Sequence, residues 1–111
     1  MAEGEESEAA VRKIFQRYCP RGQISQNSLL KILVDANLLD SNLSKFDVQF
    51  LFDKSKARAG AKNSPYKEGV ILQKRLTYEP FRALTVPELA SMKRVSVAKL
   101  MQLLATADPY P

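Results

Sequence analysis

Apolar residues recur at helical spacing in the first third of the chain. Over residues 8–18 they stand three and four positions apart and Pro20 follows, so the pattern predicts a first helix that ends before this proline. A second helix is predicted from a cap at Ser25 or Asn27 to about residue 37. Its predicted apolar face consists of Leu29, Leu30, Leu33 and Val34.

The third helix is predicted to lie at the centre of the core. Ser44 and Asp47 have the spacing of a capping box, a pair that exchanges hydrogen bonds at a helix start. In the helix that follows, one apolar face is predicted from Phe46, Phe50 and Leu51, and Val48 and Phe52 widen it, which is typical of a helix in the core. Because the phenylalanines of the chain stand at helical spacing, all are predicted to be core residues: Phe15, Phe46, Phe50, Phe52 and Phe81.

Further helices are predicted near the end of the chain. Thr77 and Thr85 each precede a helical pattern that has a proline in its first turn, a position where proline is tolerated. A last helix is predicted over residues 96–105. Its apolar side consists of Val97, Leu100, Met101 and Leu104.

Two short extended steps interrupt the helices. Residues 22–25 and 75–78 each have one apolar residue, Ile24 and Leu76, flanked by polar ones. A helix, an extended step and a second helix, repeated twice, form the plan of an EF-hand pair. In that plan Ile24 and Leu76 pair across a very short two-stranded sheet.

The first loop has the spacing of a calcium loop without its ligands. An EF-hand loop has glycine at its sixth position, and Gly22 placed there puts Ile24 at the apolar eighth position. The oxygen-bearing positions then fall on Arg17, Cys19 and Arg21, which do not supply the oxygens that Ca²⁺ requires. The corresponding positions of the second loop are Gly69, Ile71 and Gln73, with Pro80 in place of the final acid. The sequence therefore predicts neither a metal nor a cofactor.

These patterns together predict an all-α domain with about five helices, a degenerate EF-hand-like pair and a very short two-stranded β-sheet. Residues 1–7 are predicted to be an acidic flexible tail, residues 8–105 the domain, and residues 106–111 a C-terminal tail. Within the domain, small residues, glycines and scattered bases predict a long basic loop at about 57–74. Residues 70–72 in this loop are apolar and suit either a short strand or docking on the body.

Charge suggests the kind of partner. The chain of 111 residues has a formal net charge of +5, and four glutamates precede residue 9, so the remainder is more basic than the whole. A basic body favours an acidic partner: a nucleic-acid backbone, an anionic membrane or an acidic protein tail. Seven bases lie between residues 54 and 75 against one acid: Lys54, Lys56, Arg58, Lys62, Lys67, Lys74 and Arg75.

Composition narrows the classes of function. Histidine is absent, and so are a phosphate-cradling glycine loop and a nucleophile with an adjacent base, so the chain is not expected to be an enzyme. The single cysteine, Cys19, fits a reducing cytoplasmic compartment. No apolar run approaches the roughly 20 residues of a membrane-spanning helix, and the acidic start is unlike a signal peptide.

Several segments resemble the tubulin polymerization-promoting protein (TPPP) family over about residues 11–105. They are V-R-K-I-F-Q-R-Y, L-L-K-I-L-V-D-A-N-L-L-D, F-D-V-Q-F-L-F-D-K-S-K-A-R, R-L-T-Y-E-P-F and V-A-K-L-M-Q-L-L. The most specific part is D-V-x-x-x-F-x-K-x-K, followed by an extended step and an aromatic-bearing helix. Two features depart from the family: the basic insertion after Arg58 is longer, and the glycine-rich C-terminal tail is missing from this sequence.

The resemblance implies a helical EF-hand-like core that binds tubulin or microtubules in the cytoplasmic cytoskeleton, with relatives in protists tied to the flagellum or cell cortex. The seven bases are then the expected contact for tubulin's acidic C-terminal tails, with a solvated loop as the alternative. Two other classes stay open. One is an adaptor that binds another cytoskeletal or flagellar protein through an apolar groove, and the other is nonspecific nucleic-acid binding, which a single aromatic among the bases, Tyr66, disfavours.

Overall fold

The computed structural model describes residues 2–107, with side chains from Ser7 onward. This part of the chain forms five helices and a small sheet. The helices are α1 (Ala2–Tyr18), α2 (Gln26–Asp35), α3 (Lys45–Ala59), α4 (residues 78–93) and α5 (Val97–Leu104). The strands are β1 (Gln23–Ile24), β2 (Val70–Ile71) and β3 (Arg75–Thr77), and a single 3₁₀ turn, Lys67–Gly69, precedes β2. The predicted mostly helical fold with about five helices is confirmed.

The sheet is antiparallel, and β3 lies in its centre between β1 and β2. Ile24 pairs with Leu76, as predicted, and both side chains are fully buried. The predicted two strands are instead three, because Val70 also pairs with Leu76 from the other side. Two adjacent β-branched residues in β2 and a tight turn after them favour this additional hairpin.

Serine side chains start three of the helices. The Ser25 hydroxyl accepts a hydrogen bond from the Ser28 backbone at 3.1 Å, which selects Ser25 over Asn27 as the cap of α2. At α3 the predicted capping box of Ser44 and Asp47 is confirmed in both directions. Ser96 caps α5 in the same manner. These starts depend on residues three positions apart, which is why the sequence predicted them.

The two helices predicted from Thr77 and Thr85 form one continuous helix, α4. Its middle, Phe81–Thr85, has π-helical geometry, and the Val86 backbone N–H donates to the Phe81 carbonyl. Pro87 has no N–H for the α-helical bond to residue 83, and its ring crowds that carbonyl. A wider turn just before the proline relieves this conflict and lets the helix continue. The prediction of two separate helices was therefore wrong.

The core contains side chains from every helix and from β1 and β3. The phenylalanines Phe15, Phe52 and Phe81 are buried, as predicted. Two other phenylalanines were wrongly predicted to be core residues: Phe46 is 79% exposed and Phe50 is 69% exposed. In α2 the buried face is Leu29, Ile32 and Leu33, and Val34 points outward at 55% exposure.

The boundaries of the predicted tails and loop also differ. α1 begins at Ala2, because the alanines and glutamates of the predicted N-terminal tail are good helix formers. Ala107 is buried, so the core extends beyond residue 105, whereas residues 108–111 of the predicted C-terminal tail and Met1 lie outside the described residues. The predicted loop at 57–74 begins inside α3, since Lys, Ala and Arg also favour a helix, and it contains β2.

A polar clamp joins α1 to α4. The Glu8 carboxylate accepts a hydrogen bond from the Tyr78 hydroxyl at 2.5 Å and one from Arg82 Nε at 2.8 Å. The Arg12 guanidinium lies 4.3 Å above the Tyr78 ring, and Phe15 meets that ring edge to face. The Tyr78 hydrogen bond, together with Arg82, lowers the pKa of Glu8, while burial raises the pKa of Tyr78.

Two phenylalanines of α3 provide a stability test of the observed burial. Phe52→Ala is expected to lower the free energy of unfolding by about 3–5 kcal/mol, because it leaves a cavity in the core. Phe50→Ala is expected to change it by less than about 0.5 kcal/mol, because the side chain is exposed. Urea unfolding of both variants measures the difference, and equal losses would place Phe50 in the core after all.

The clamp predicts a pH-dependent loss of stability. A lowered folded-state pKa stabilises the fold above the ordinary carboxyl pKa of 4.5, and this contribution disappears as the pH falls through the folded value. Glu8→Gln is therefore expected to cost about 1 kcal/mol at neutral pH, after discounting for the partly exposed carboxylate, and progressively less as the pH falls below 4.5. Urea unfolding at neutral pH and at a series of acid pH values, with the exposed Glu68→Gln as the control, measures this. A Glu8→Gln cost that is independent of pH would contradict the assignment.

Candidate functional site

The seven bases predicted as a binding site do not lie on one loop. Lys54, Lys56 and Arg58 are on α3, as part of a regular helix. The other four follow α3 in the chain, and we call all seven the basic surface. Lys62 lies in the turns after α3, Lys67 in the 3₁₀ turn, Lys74 in the β2–β3 turn and Arg75 at the start of β3.

Part of the basic surface is already paired within the fold. Lys54 and Arg58 share the carboxylate of Glu88 on α4, with N–O distances of 3.5 and 3.4 Å. Lys56 lies 3.2 Å from Asp53, one turn earlier on α3. Partly exposed ion pairs of this kind contribute only about 0–1 kcal/mol each to stability. They therefore orient these basic side chains and still allow them to bind a partner's carboxylate.

Three lysines of the basic surface are exposed and form no ion pair with the described residues: Lys62, Lys67 and Lys74. They lie around the turns and hairpin rather than on a helix. The segment 45–75, which includes them, has eight bases and three acids, and its formal charge equals the +5 of the whole chain. The rest of the chain has as many acids as bases. The excess charge is thus confined to the segment that runs from α3 through the following turns to the hairpin.

The turn between β2 and β3 has an unusual sequence for its geometry. Leu72 and Gln73 both adopt left-handed backbone angles, with φ of 53° and 58°, and the Lys74 N–H donates to the Ile71 carbonyl at 2.9 Å. This arrangement is a type I′ turn, which favours Asn-Gly because side chains with a bulky Cβ are strained there. Leu72 is also 78% exposed, so the strain brings no compensating burial.

A cleft of about 380 Å³ lies between the C-terminal half of α3 and the hairpin. One wall is formed by Asp53, Lys56, Ala57 and Gly60, and Val70 and Gln73 form the other. The titratable groups on this cleft are Asp53 and Lys56, which pair with each other. The cleft is open and adjoins the basic surface, so it suits a segment of another macromolecule better than an enclosed small molecule.

The outward face of α3 is the site feature that sequence reasoning missed. Phe46 and Phe50 are one helical turn apart and both project into solvent. The buried face is set by Val48, Leu51 and Ser55, about half a turn away on a helix of 3.6 residues per turn. The polar Lys54 and Arg58 beside the phenylalanines were the signal in the sequence that this side faces outward.

Two further polar groups, Lys93 and Cys19, make contacts that serve the fold. Lys93 Nζ lies 2.5 Å from Asp40 Oδ2 and also donates a hydrogen bond to the Leu38 carbonyl. These two contacts hold the α2–α3 connection against the C-terminal end of α4. Burial raises the pKa of the Cys19 thiol to about 11, so it is protonated at neutral pH and a poor nucleophile.

The first loop forms the predicted tight turn. Gly22 has a φ of 76°, which glycine adopts without strain. Arg17 and Arg21 are exposed and Cys19 is buried. Among the described residues, no group of three or more acidic, cysteine or histidine side chains is placed to hold a metal ion. None of the described helices is both long and apolar enough to cross a membrane.

No family model, curated protein or solved structure matches this chain. The features of this chain that bear on its function are the basic surface, the cleft and the outward face of α3.

The strained turn leads to a test on the hairpin. Replacing Leu72 and Gln73 together by Asn and Gly is expected to raise the free energy of unfolding by about 1 kcal/mol, because this pair suits the left-handed angles. Leu72→Ala is the control, since it removes the exposed side chain but keeps a Cβ in the strained position. Urea unfolding of the variants measures the effect, and equal stabilisation by both changes would mean that strain in the turn is not the cause.

Proposed function

We propose that this chain is a degenerate EF-hand pair of the TPPP type. Support comes from two helix–strand–helix units whose strands pair at Ile24 and Leu76. The first loop has Gly22 at a left-handed position, and Arg17, Cys19 and Arg21 stand where calcium ligands are needed. A loop that keeps the turn and lacks the ligands suits a constitutive binding module rather than a calcium sensor.

We propose further that the module binds tubulin or microtubules through the basic surface. The observation that carries this proposal is the confinement of the whole excess charge to segment 45–75, with three exposed lysines that have no carboxylate partner among the described residues. Tubulin's C-terminal tails are acidic, and a cationic surface can attract them without a matching shape. On this proposal the protein acts in the cytoplasmic cytoskeleton, including that of a cilium or flagellum.

The affinity of such a contact is a sum of weak terms. Each exposed charge pair contributes about 0–1 kcal/mol, and salt at physiological ionic strength screens charges beyond about 8 Å. Lys54 and Arg58 must also exchange Glu88 for the partner's carboxylates, which reduces their gain. The exposed Lys62, Lys67 and Lys74 have no such exchange to make and are expected to contribute most.

The second candidate function is an adaptor that binds another cytoskeletal protein through an apolar face. The exposure of Phe46 and Phe50 on α3 favours it, since these residues gain nothing in the isolated fold. Nonspecific nucleic-acid binding shares the charge requirement of the tubulin proposal. Tyr66, the aromatic among the bases that follow α3, is half-buried. Phe46 and Phe50 do offer accessible rings for stacking on bases, beside Lys54 and Arg58, so competition by RNA is needed to separate this class from tubulin binding.

Cosedimentation with stabilised microtubules tests the tubulin proposal. The chain is expected to pellet with microtubules at low salt, to pellet less at physiological salt, and not to pellet when the acidic tails are clipped. Changing Lys62, Lys67 and Lys74 together to Gln is expected to weaken binding about tenfold, from the loss of three weak charge contacts. RNA at a phosphate concentration matched to the carboxylates of the tubulin tails is expected to reduce pelleting only in part, and complete loss would favour nucleic-acid binding.

A charge-matched variant controls for net charge alone. Changing Lys13, Arg17 and Lys99 to Gln removes the same charge from exposed positions outside segment 45–75. This variant is expected to bind nearly as well as the parent chain. Equal weakening by the two triple variants would assign the attraction to the net charge, and absence of pelleting at both salts would exclude tubulin as the direct partner.

A further inference from the structure

The outward face of α3 carries a seam with the spacing of a helix-pairing surface. Phe46, Phe50, Asp53 and Ala57 are all exposed and follow each other at intervals of four, three and four residues. This is the heptad spacing at which one helix packs along another. Asp53 is the only charged member, and Lys56 at 3.2 Å partly neutralises it. We call these four residues the α3 seam.

The α3 seam continues into the cleft beside the hairpin. Asp53 and Ala57 belong to both, and Gly60, the next residue at this spacing, lines the cleft as well. Val70 and Gln73 form the opposite wall. A helix laid along the α3 seam thus meets two aromatic side chains at one end and a walled depression of about 380 Å³ at the other.

Bases flank the α3 seam on both sides. On a helix of 3.6 residues per turn, Lys45 and Lys56 fall along one edge of the seam, and Lys54 and Arg58 along the other. Positions beside an apolar seam choose the partner by charge, and four of them here are basic. Asp47 also falls on the edge of Lys54 and Arg58, but its carboxylate accepts hydrogen bonds from the Ser44 backbone and hydroxyl in the capping box. Glu88 reaches only Lys54 and Arg58, and it leaves both side chains about half exposed.

We propose that the α3 seam and the cleft dock an amphipathic α-helix of a partner protein, one with apolar residues at heptad spacing and acidic residues on both flanks. The apolar positions cover Phe46 and Phe50, and the acidic flanks meet the four bases. A second copy of this chain is a poor occupant, because pairing two such faces sets lysines against lysines. The site shares Lys54, Lys56 and Arg58 with the basic surface, but it is tested separately from the tubulin proposal, since a flexible acidic tail needs charge but no apolar seam.

The absence of tryptophan from the chain provides a direct reporter. Phe50→Trp places a single tryptophan in the middle of the α3 seam, where it is exposed in the free protein. The probe is a synthetic three-heptad helix with Leu on its seam and Glu on its flanks. Titration with this peptide is expected to shift the tryptophan emission to the blue with saturation, because docking removes the indole from water.

Matched peptides and variants separate charge from apolar packing. A peptide with the same Leu seam and Lys flanks, and one with Glu flanks and a Ser seam, are both expected to give no shift. Adding Phe46→Ala to the reporter is expected to weaken the acidic Leu peptide about tenfold, as for an anchor residue of an interface. Adding Val34→Ala, which truncates an exposed apolar residue on α2, is expected to leave binding unchanged.

Three results would overturn the proposal. The first is no emission shift with the acidic Leu peptide, and the second is a shift that Phe46→Ala does not weaken. The third is a blue shift that grows with protein concentration in the absence of peptide, together with a dimer in sedimentation, which would make a second copy the occupant. Microtubule pelleting of Phe46→Ala is expected to match the parent chain, so failure of the helix site and failure of tubulin binding are read from different experiments.

Discussion

The pairing of Ile24 with Leu76 is the contact on which the arrangement of the other elements depends. A strand of two or three residues makes too few hydrogen bonds to be stable alone, and it is the burial of these two side chains, worth roughly 1.5–3 kcal/mol each, that holds β1 against β3. Each strand leads directly into a helix, β1 into α2 and β3 into α4. The register of this one pair therefore sets how the two helix–strand–helix units meet, and the core fills the space between them.

α3 differs from the other helices because one side packs in the core and the opposite side exposes large apolar residues to solvent. Its inner face places Val48, Leu51 and Phe52 in the core, which is sufficient to hold a helix of 15 residues. Its outer face exposes two phenylalanines between rows of bases, an arrangement that adds nothing to the stability of the isolated domain. Apolar area left in water on a rigid, capped helix is available for binding at little entropic cost, since the helix is already ordered.

Local chemistry made much of the fold predictable, and non-local contacts account for what was missed. The capping box at Ser44 and the turn at Gly22 depend on residues a few positions apart, and the pairing of Ile24 with Leu76 followed from two similar apolar steps. Phe46 and Phe50 were misassigned because α3 has large apolar residues on two opposite sides, so periodicity alone does not say which side meets the core. A short strand at residues 70–72 was one of two alternatives, and the sequence did not select it because the turn has Leu-Gln in place of the usual Asn-Gly and the strand is only two residues long. The basic surface was identified by composition, but its division between a helix and a hairpin depends on where α3 ends.

The two proposed contacts share part of α3, and this sharing has a physical consequence. Lys54, Lys56 and Arg58 belong to the basic surface and also flank the α3 seam, so an acidic helix docked on the seam neutralises them. Lys62, Lys67 and Lys74 then remain for a flexible acidic tail. Each removed charge takes up to about 1 kcal/mol from the electrostatic attraction, so the two partners bind with negative coupling even where they do not collide. Under these two proposals, occupancy of one contact would weaken the other without any change in the fold.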